Sequence, residues 1–403
     1  MKLRTKILIG ILCALFISQI PFAVTRWKTG KLASKVAGLA PPTQQKPAEI
    51  DGFIDYQGII HVHSFLGGHS TGTFDELITA ADKNALDFVV MTEHPSDLFD
   101  TSDITLRELK NNVLFISGSE VSARDGNRFL VVDGFANIGS LGRSETGEFL
   151  NKVRDRGSLA LVTYPEKFNA WSADFDGIEV FSLHTNAKKM NPFMFLPDLA
   201  WSYRDYPELT LARYFTRPDE NLAKFDEIAK RRKLTLFAGT DAHSNLGIHI
   251  GDDANNKYFD LKFDRYETIF RLVRTHVLIP KETPLNRESL LKSLKDGNSY
   301  IGLDILCNTR GFMFSASNDS ESKILGEEIA TGGGSVILRA SAPQISRFKI
   351  LRNGETVFES GQTKRVEYET KDTGAFRVEV YLDILGEPFD SMPWIISNPI
   401  YIK

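Results

Sequence analysis

Six of the eight histidines in this 403-residue chain stand at or just beyond the ends of short apolar runs, in the company of acidic residues. The runs are GIIHVH (Gly58–His63), DFVVMTEH (Asp87–His94), VLFISGSE (Val113–Glu120), GIEVFSLH (Gly177–His184) and LTLFAGTDAH (Leu234–His243). They finish in His61 and His63, His94, Glu120, His184, and Asp241 with His243, while His69 follows the first pair. Imidazole with carboxylate suits zinc, manganese or iron, and a carboxylate such as Glu120 can bridge two ions. In a strand, residues i and i+2 point to the same side. His61-Val62-His63 can therefore aim two imidazoles at one ion while Val62 packs the other way, and Asp241-Ala242-His243 repeats the device. A lone H-x-H is more often structural than functional. Two such pairs with Glu120, His94, His69 and His184 point to a cluster of more than one metal ion. His249 and His276 fit no such pattern and read as structural.

Elements must bring these residues together. Two further runs, FLVVD (Phe129–Asp133) and LALVTYP (Leu159–Pro165), complete a series of seven that alternate with helical patterns between residues 52 and 300. Such alternation predicts parallel strands with crossover helices, and near-continuous Val, Ile, Leu and Phe fits strands covered on both faces. A βα barrel is the simplest architecture, and its active site lies where the strands end, because the loops there converge on one mouth. Thr73 with Glu76 forms a capping box ahead of LITAA. The aromatic insert from about 186 to 232 reads as helices covering one face.

The remainder of the chain narrows the class of protein. Lys+Arg 48 against Asp+Glu 52 supplies no overall pull towards nucleic acid, which is not an expected partner. Two cysteines, Cys13 and Cys307, can build neither a disulfide framework nor a thiolate zinc site. A cationic start, MKLRTK, precedes the uncharged run Ile7–Val24, so residues 1–25 read as an export signal, either cleaved or kept as a membrane anchor. The lack of an obvious A-x-A site favours the anchor. Residues 26–51, with Pro41, Pro42 and Pro47, suit a tether. Residues 306–403 alternate apolar and polar positions around turns such as Asn353-Gly354, which predicts a smaller antiparallel β-sandwich domain with a packing role and no chemistry.

Across 52–305 the motifs HVH with His69, TEH at 92–94, GSE at 118–120 and GTDAH at 239–243, in this order, resemble the PHP family of metal-dependent hydrolases. The resemblance implies a distorted (β/α)7 barrel, in keeping with the seven runs. It puts His61, His63, Glu120 and Asp241 on one ion and His69, His94 and His243 on another, with Glu120 and His184 reaching a further one. Two or three divalent ions, Zn, Mn or Fe, are implied. Where the family commonly has His-Pro after the fifth strand, this chain has Tyr164-Pro165. Tyr164 is the candidate catalytic residue, with coordination, substrate contact and space filling as its open roles. Glu93 stands where the family commonly has Asp, and reads as orienting a ligand.

Ions held in this way would activate a hydroxide for hydrolysis. The resemblance implies a phosphoester, from a small molecule or a lipid, with Lys167 and Lys188 as candidate phosphate grips. The leading expectation is thus an exported or membrane-tethered metal-dependent phosphoesterase, periplasmic or extracellular. The alternatives are a metallohydrolase cutting an amide, lactone or carboxyl ester, and a metal-containing binding protein without turnover.

Overall fold

The computed structural model describes residues 3–39, 47–251 and 257–403, without the side chains of His184, Ala187, Lys189 and residues 248–261. It is a mixed α/β protein. Eight strands position the site: β1 Phe53–Val62, β2 Phe88–Met91, β3 Val113–Ile116, β4 Gly118–Ser122, β5 Arg128–Val132, β6 Leu159–Val162, β7 Gly177–Ser182 and β8 Thr235–Ala242. They pair in the order β3-β2-β1-β8-β7-β6-β5-β4.

Pairings from β3 to β6 are parallel, as the sequence pattern predicts. The run Phe129–Asp133 departs from it, since β5 is antiparallel to both β4 and β6. The link Ala123–Asn127 is too short for a crossover, and it turns at Asp125-Gly126, where Gly126 takes φ 86°. Val113–Glu120, expected as one strand, divides at Ser117 into β3 and β4. No continuous ladder closes a regular barrel among the described residues. The outer edge of β3 is taken by the short strand Glu108–Lys110, and only the single bridge Glu93–Ser119 links the end of β2 to β4.

Alternation along the strands fills two apolar layers. Ile60, Phe88, Val90, Leu114, Ile116, Leu130 and Phe237 lie in an inner cluster closed below by Leu290 and Leu294. Ile59, Val89, Met91 and Phe115 lie in an outer one against helices such as Phe74–Lys83, which begins with the expected Thr73–Glu76 capping box. Both faces of the parallel strands are therefore covered.

The N-terminal helix α1 runs from Leu3 to Leu39 through Pro21. Residues 26–39, expected as part of a tether, continue this helix. Trp27, Leu32, Ala33 and Val36 lie on helical sequence without proline, since Pro41, Pro42 and Pro47 all follow Leu39. Thr29 and Leu32 are buried against the rest of the molecule, whereas Ile7–Ser18 are exposed. The aromatic insert is helical as expected: α2 Leu183–Lys189, α3 Pro192–Asp198 and α4 Pro207–Ala212, with the π-helical turn Leu199–Tyr203 between the last two.

Beyond residue 305, Val336–Arg352 and Glu355–Thr370 form a long antiparallel hairpin turning at Asn353-Gly354, with φ of 53° and 90°. These strands are not a separate pair of sheets. Ile395–Ser397 bonds to Gly374–Tyr381 on one side and to Ser299–Gly302 on the other, and Ser299–Gly302 leads through Arg274–Pro280 to β1. Buried Arg377 reinforces the junction, donating to Asp226 at 2.8 Å through both Nε and Nη2 and to Glu379 at 2.6 Å.

Candidate metal centre

His61 stands where β1 loses its regular alternation. Ile60 pairs with Val90 and Val62 with Met91, so His61 is one residue too many against β2, and it takes a left-handed φ of 72°. This is a bulge, and it redirects the strand: Ile60 faces the inner layer but Val62 the outer one. The expected i, i+2 geometry is therefore not what aims His61 and His63 at one point. The same irregularity appears in β8, where Asp241 takes φ 48° and the register with β1 shifts between Gly239 and Ala242.

The bulged ends bring His61, His63, Glu120 and Asp241, all buried, into one group. His61 Nε2 lies 3.3 Å from both Glu120 Oε2 and Asp241 Oδ1; His63 Nε2 lies 3.3 and 3.2 Å from the same two oxygens. Four donors placed tetrahedrally at zinc-like distances are themselves roughly 3.3 Å apart. Neither ring nitrogen of His63 makes a hydrogen bond among the described residues, although the ring is wholly buried. His61 Nε2 and Glu120 Oε2 are within hydrogen-bond reach of each other, whereas His63 bonds to neither oxygen it faces, and four donors this close around a common point fit a divalent cation. Two imidazoles with two carboxylates suit Zn, Mn or Fe.

Three of the four ligands are fixed from behind. Glu120 Oε1 accepts from Arg128 Nη1 at 2.9 Å, and Asp241 Oδ2 accepts from the Tyr164 hydroxyl at 2.7 Å. His61 Nδ1 lies 3.0 Å from Glu179 Oε2, which also accepts from Thr163 Oγ1. A carboxylate behind an imidazole sets its tautomer and makes it a better ligand. Space for Glu179 comes from Gly239: a Cβ there would lie 2.3 Å from Glu179 Oε1. The glycine of GTDAH thus makes room for the carboxylate behind the His61 ring.

Burial opposes charge on all these groups, and their mutual attraction outweighs it for the inner four. Asp241 and Glu179 hold the His61 imidazolium well above its usual range, and Asp241 and Glu120 raise His63 against repulsion from His61. Glu120 and Asp241 are correspondingly pushed far down by the two imidazoles. Burial and then the charge of His63 lower His94 and His243 to about 4, which leaves both neutral and ready as ligands. Burial and then the charge of Asp241 push the Tyr164 phenol far up, so it keeps its proton and donates it.

A second group joins His63 to His94 and His243, whose rings stack against it at 4.5 and 4.3 Å and lie 6.2 Å from each other. His69, implied by the resemblance in this group, is exposed, and its ring lies 5.1 Å from that of His94 in an edge-to-face arrangement. His184 lies in α2, and its side chain, like that of His249, is outside the described residues. Glu93 holds no imidazole. It accepts from the Ser64 backbone at 2.9 Å and hydroxyl at 2.6 Å, and from Thr105 Oγ1 at 2.9 Å, so it fixes the chain directly after His63.

Tyr164 also collects cations. Lys167 Nζ and Lys188 Nζ lie 5.9 and 5.8 Å from its ring centroid, and the Arg128 guanidinium 5.1 Å. Sequence reasoning passed over Glu179 and Arg128. An acid inside the apolar run GIEVFS was a legible signal for Glu179, because a mid-strand carboxylate buried on both faces needs a partner. Arg128, directly before an apolar strand, carried none.

His276 is buried at the other half of β1. Its Nδ1 lies 2.9 Å from Asp55 Oδ1 and its Nε2 2.9 Å from Asp304 Oδ2. Despite burial, the two carboxylates push its pKa up to about 9.

No family model and no curated protein matches the chain. Among solved structures, it is similar to a two-domain protein from Bacteroides vulgatus ATCC 8482 described as containing a predicted PHP-like metal-dependent phosphoesterase. The identity is 13%, covering 89% of this chain and 99% of that one, with a TM-score of 0.39. It is also similar to PsfC from Pseudomonas syringae PB-5123, at 14% identity over 61% of this chain and 91% of that one, with a TM-score of 0.37.

Proposed function

We propose that this chain is a metal-dependent phosphoesterase working outside the cytoplasm, held at a membrane by Ile7–Val24 of α1. The observation that carries this reading is the convergence of His61 Nε2, His63 Nε2, Glu120 Oε2 and Asp241 Oδ1 on one point. Divalent ions bound there supply Lewis acidity and lower the pKa of water. The chain's own residues do the rest. Glu179 holds the His61 ring, Tyr164 holds Asp241, and Arg128 holds Glu120, so the donors keep their positions as charge develops. Arg128, Lys167 and Lys188, gathered around Tyr164, favour an anionic phosphoryl group over a neutral acyl group.

On this reading His63, His94 and His243 serve a second ion and His184 with Glu120 a third, for two or three Zn, Mn or Fe ions in all. The sheet is read as a distorted (β/α)7 barrel over residues 52–305, with 306–403 as a β-domain that packs against its base. The test is a panel of chromogenic phosphomonoesters, phosphodiesters and carboxyl esters, assayed with Mn, Zn or Fe. Phosphate-selective turnover that disappears in His63→Ala is the expected result. Turnover of carboxyl esters alone would move the assignment to a metallohydrolase of non-phosphate bonds, and retention of metal with no turnover to a binding protein.

A further inference from the structure

The metal-ligand group opens into a cavity of about 560 Å³ whose two ends differ in chemistry. His69, Lys188, Asp241 and His243 line the end at the group, while Phe195, Leu211, Phe215, Phe263, Ile269 and Leu272 form much of the remaining wall. A small polar phosphoester uses only the first end. An apolar wall continuous with a cationic, ligand-rich end fits a molecule that carries both a phosphate and a hydrocarbon chain.

The placement of α3 points the same way. Phe195 lines the cavity, while Phe193 and Leu196 on the same short helix are 85% and 62% exposed, and Trp201 in the next turn is 37% exposed. This apolar outer face lies beside the helix already read as a membrane anchor. Trp201 Nε1 donates to Gln19 Oε1 at 3.0 Å, Arg26 Nη1 donates to the Trp201 carbonyl at 2.6 Å, and Arg26 pairs with Asp205. Gln19 and Arg26 lie at the C-terminal end of the Ile7–Val24 run, where an 18-residue apolar span of about 27 Å meets the bilayer surface. Aromatic side chains at that level are characteristic of the interface. The helix that carries Phe195 on the cavity wall therefore stands beside the anchor helix, and Leu246, 57% exposed, lines the same cavity.

We infer that the substrate is a membrane lipid phosphoester, with its phosphate at Lys188 and the ligand group and an acyl chain along Phe195, Phe215 and Phe263. The inference rests on the phosphoesterase reading for the reaction but not for the chain site, and two measurements separate them. In the first, the metal-stripped full chain in amphipol is titrated calorimetrically with ethyl, hexyl and dodecyl phosphate below their micellar concentrations. Affinity is expected to rise about threefold per methylene until the cavity is filled. Leu246→Arg and Phe195→Ser, both at positions that are not fully buried, should each cut the dodecyl-to-ethyl affinity ratio about tenfold, with thermal melting confirming that the variants fold. A ratio near one in the parent chain, or one unchanged in both variants, overturns the inference.

In the second measurement, phosphate release from the same three esters is followed with Mn, Zn or Fe present. Release that grows with chain length supports both readings. Release independent of chain length overturns the lipid assignment and leaves the phosphoesterase standing. Length-dependent binding with no release supports the chain site and overturns the phosphoesterase.

Discussion

His63 and His276 are both wholly buried among carboxylates, and their surroundings treat them in opposite ways. Each ring nitrogen of His276 has its own carboxylate oxygen at 2.9 Å, so the imidazolium and its two acids satisfy one another. His63 has two carboxylate oxygens at 3.2 and 3.3 Å from a single nitrogen and hydrogen bonds to neither. The first arrangement is complete as a piece of structure. The second turns two carboxylate oxygens on one nitrogen without a hydrogen bond, an arrangement that a bound cation would complete. The geometry of satisfaction, more than burial or residue type, separates a histidine that holds the fold from one that holds a ligand.

Substitutions at the two sites should therefore fail differently. His63→Ala is expected to abolish metal retention and cut turnover by at least about a thousandfold, while the metal-free variant still folds and loses less stability than His276→Ala. Metal analysis beside calorimetry checks both halves, and a large loss of stability in the metal-free variant would erase the contrast. His276→Ala should do the reverse. It leaves Asp55 and Asp304 buried without their cation and costs about 3–5 kcal/mol in denaturant unfolding, with metal content unchanged.

The pH dependence sharpens the comparison further. The pKa of His276 is pushed up to about 9 in the folded chain, against about 6.5 unfolded. The folded state then binds more protons through this range. Its contribution is whole below about pH 6.5 and is lost as pH rises through about 9, on the order of 3 kcal/mol. Unfolding of metal-free protein at pH 6 and pH 9.5, compared with His276→Gln, measures it; equal pH dependence in the two proteins would contradict the assignment. The smallest effect is expected at Glu179→Gln, which keeps the shape behind His61 but weakens its carboxylate support. Metal affinity should fall about 10–100-fold with the fold intact, as read by competition with a chelating dye.

The strand ends that carry His61, His63, His94, Glu120 and Asp241 were legible because apolar runs are local and each stopped at a ligand type. Direction was not legible in Phe129–Asp133, since a hydrophobic run reads the same both ways. The Asp125-Gly126 turn before it was the overlooked sign of a hairpin. The bulge at His61 is a property of pairing between three strands, and no spacing in one of them reveals it. Arg128 and the cavity wall around Phe215 and Phe263 depend on contacts between distant segments, which lie beyond periodicity. Residues 26–39 were read as tether because the prolines from residue 41 onward lent their character to a stretch that contains none.

His61 and Tyr164 both hold left-handed backbones, at φ 72° and 50°. For side chains of this size, each such conformation costs about 1–3 kcal/mol. Glycine at either position would relax the backbone and discard the chemistry. Variants freed from any need to hold a ligand should therefore drift towards a sturdier chain, with the ligand group decaying before the core.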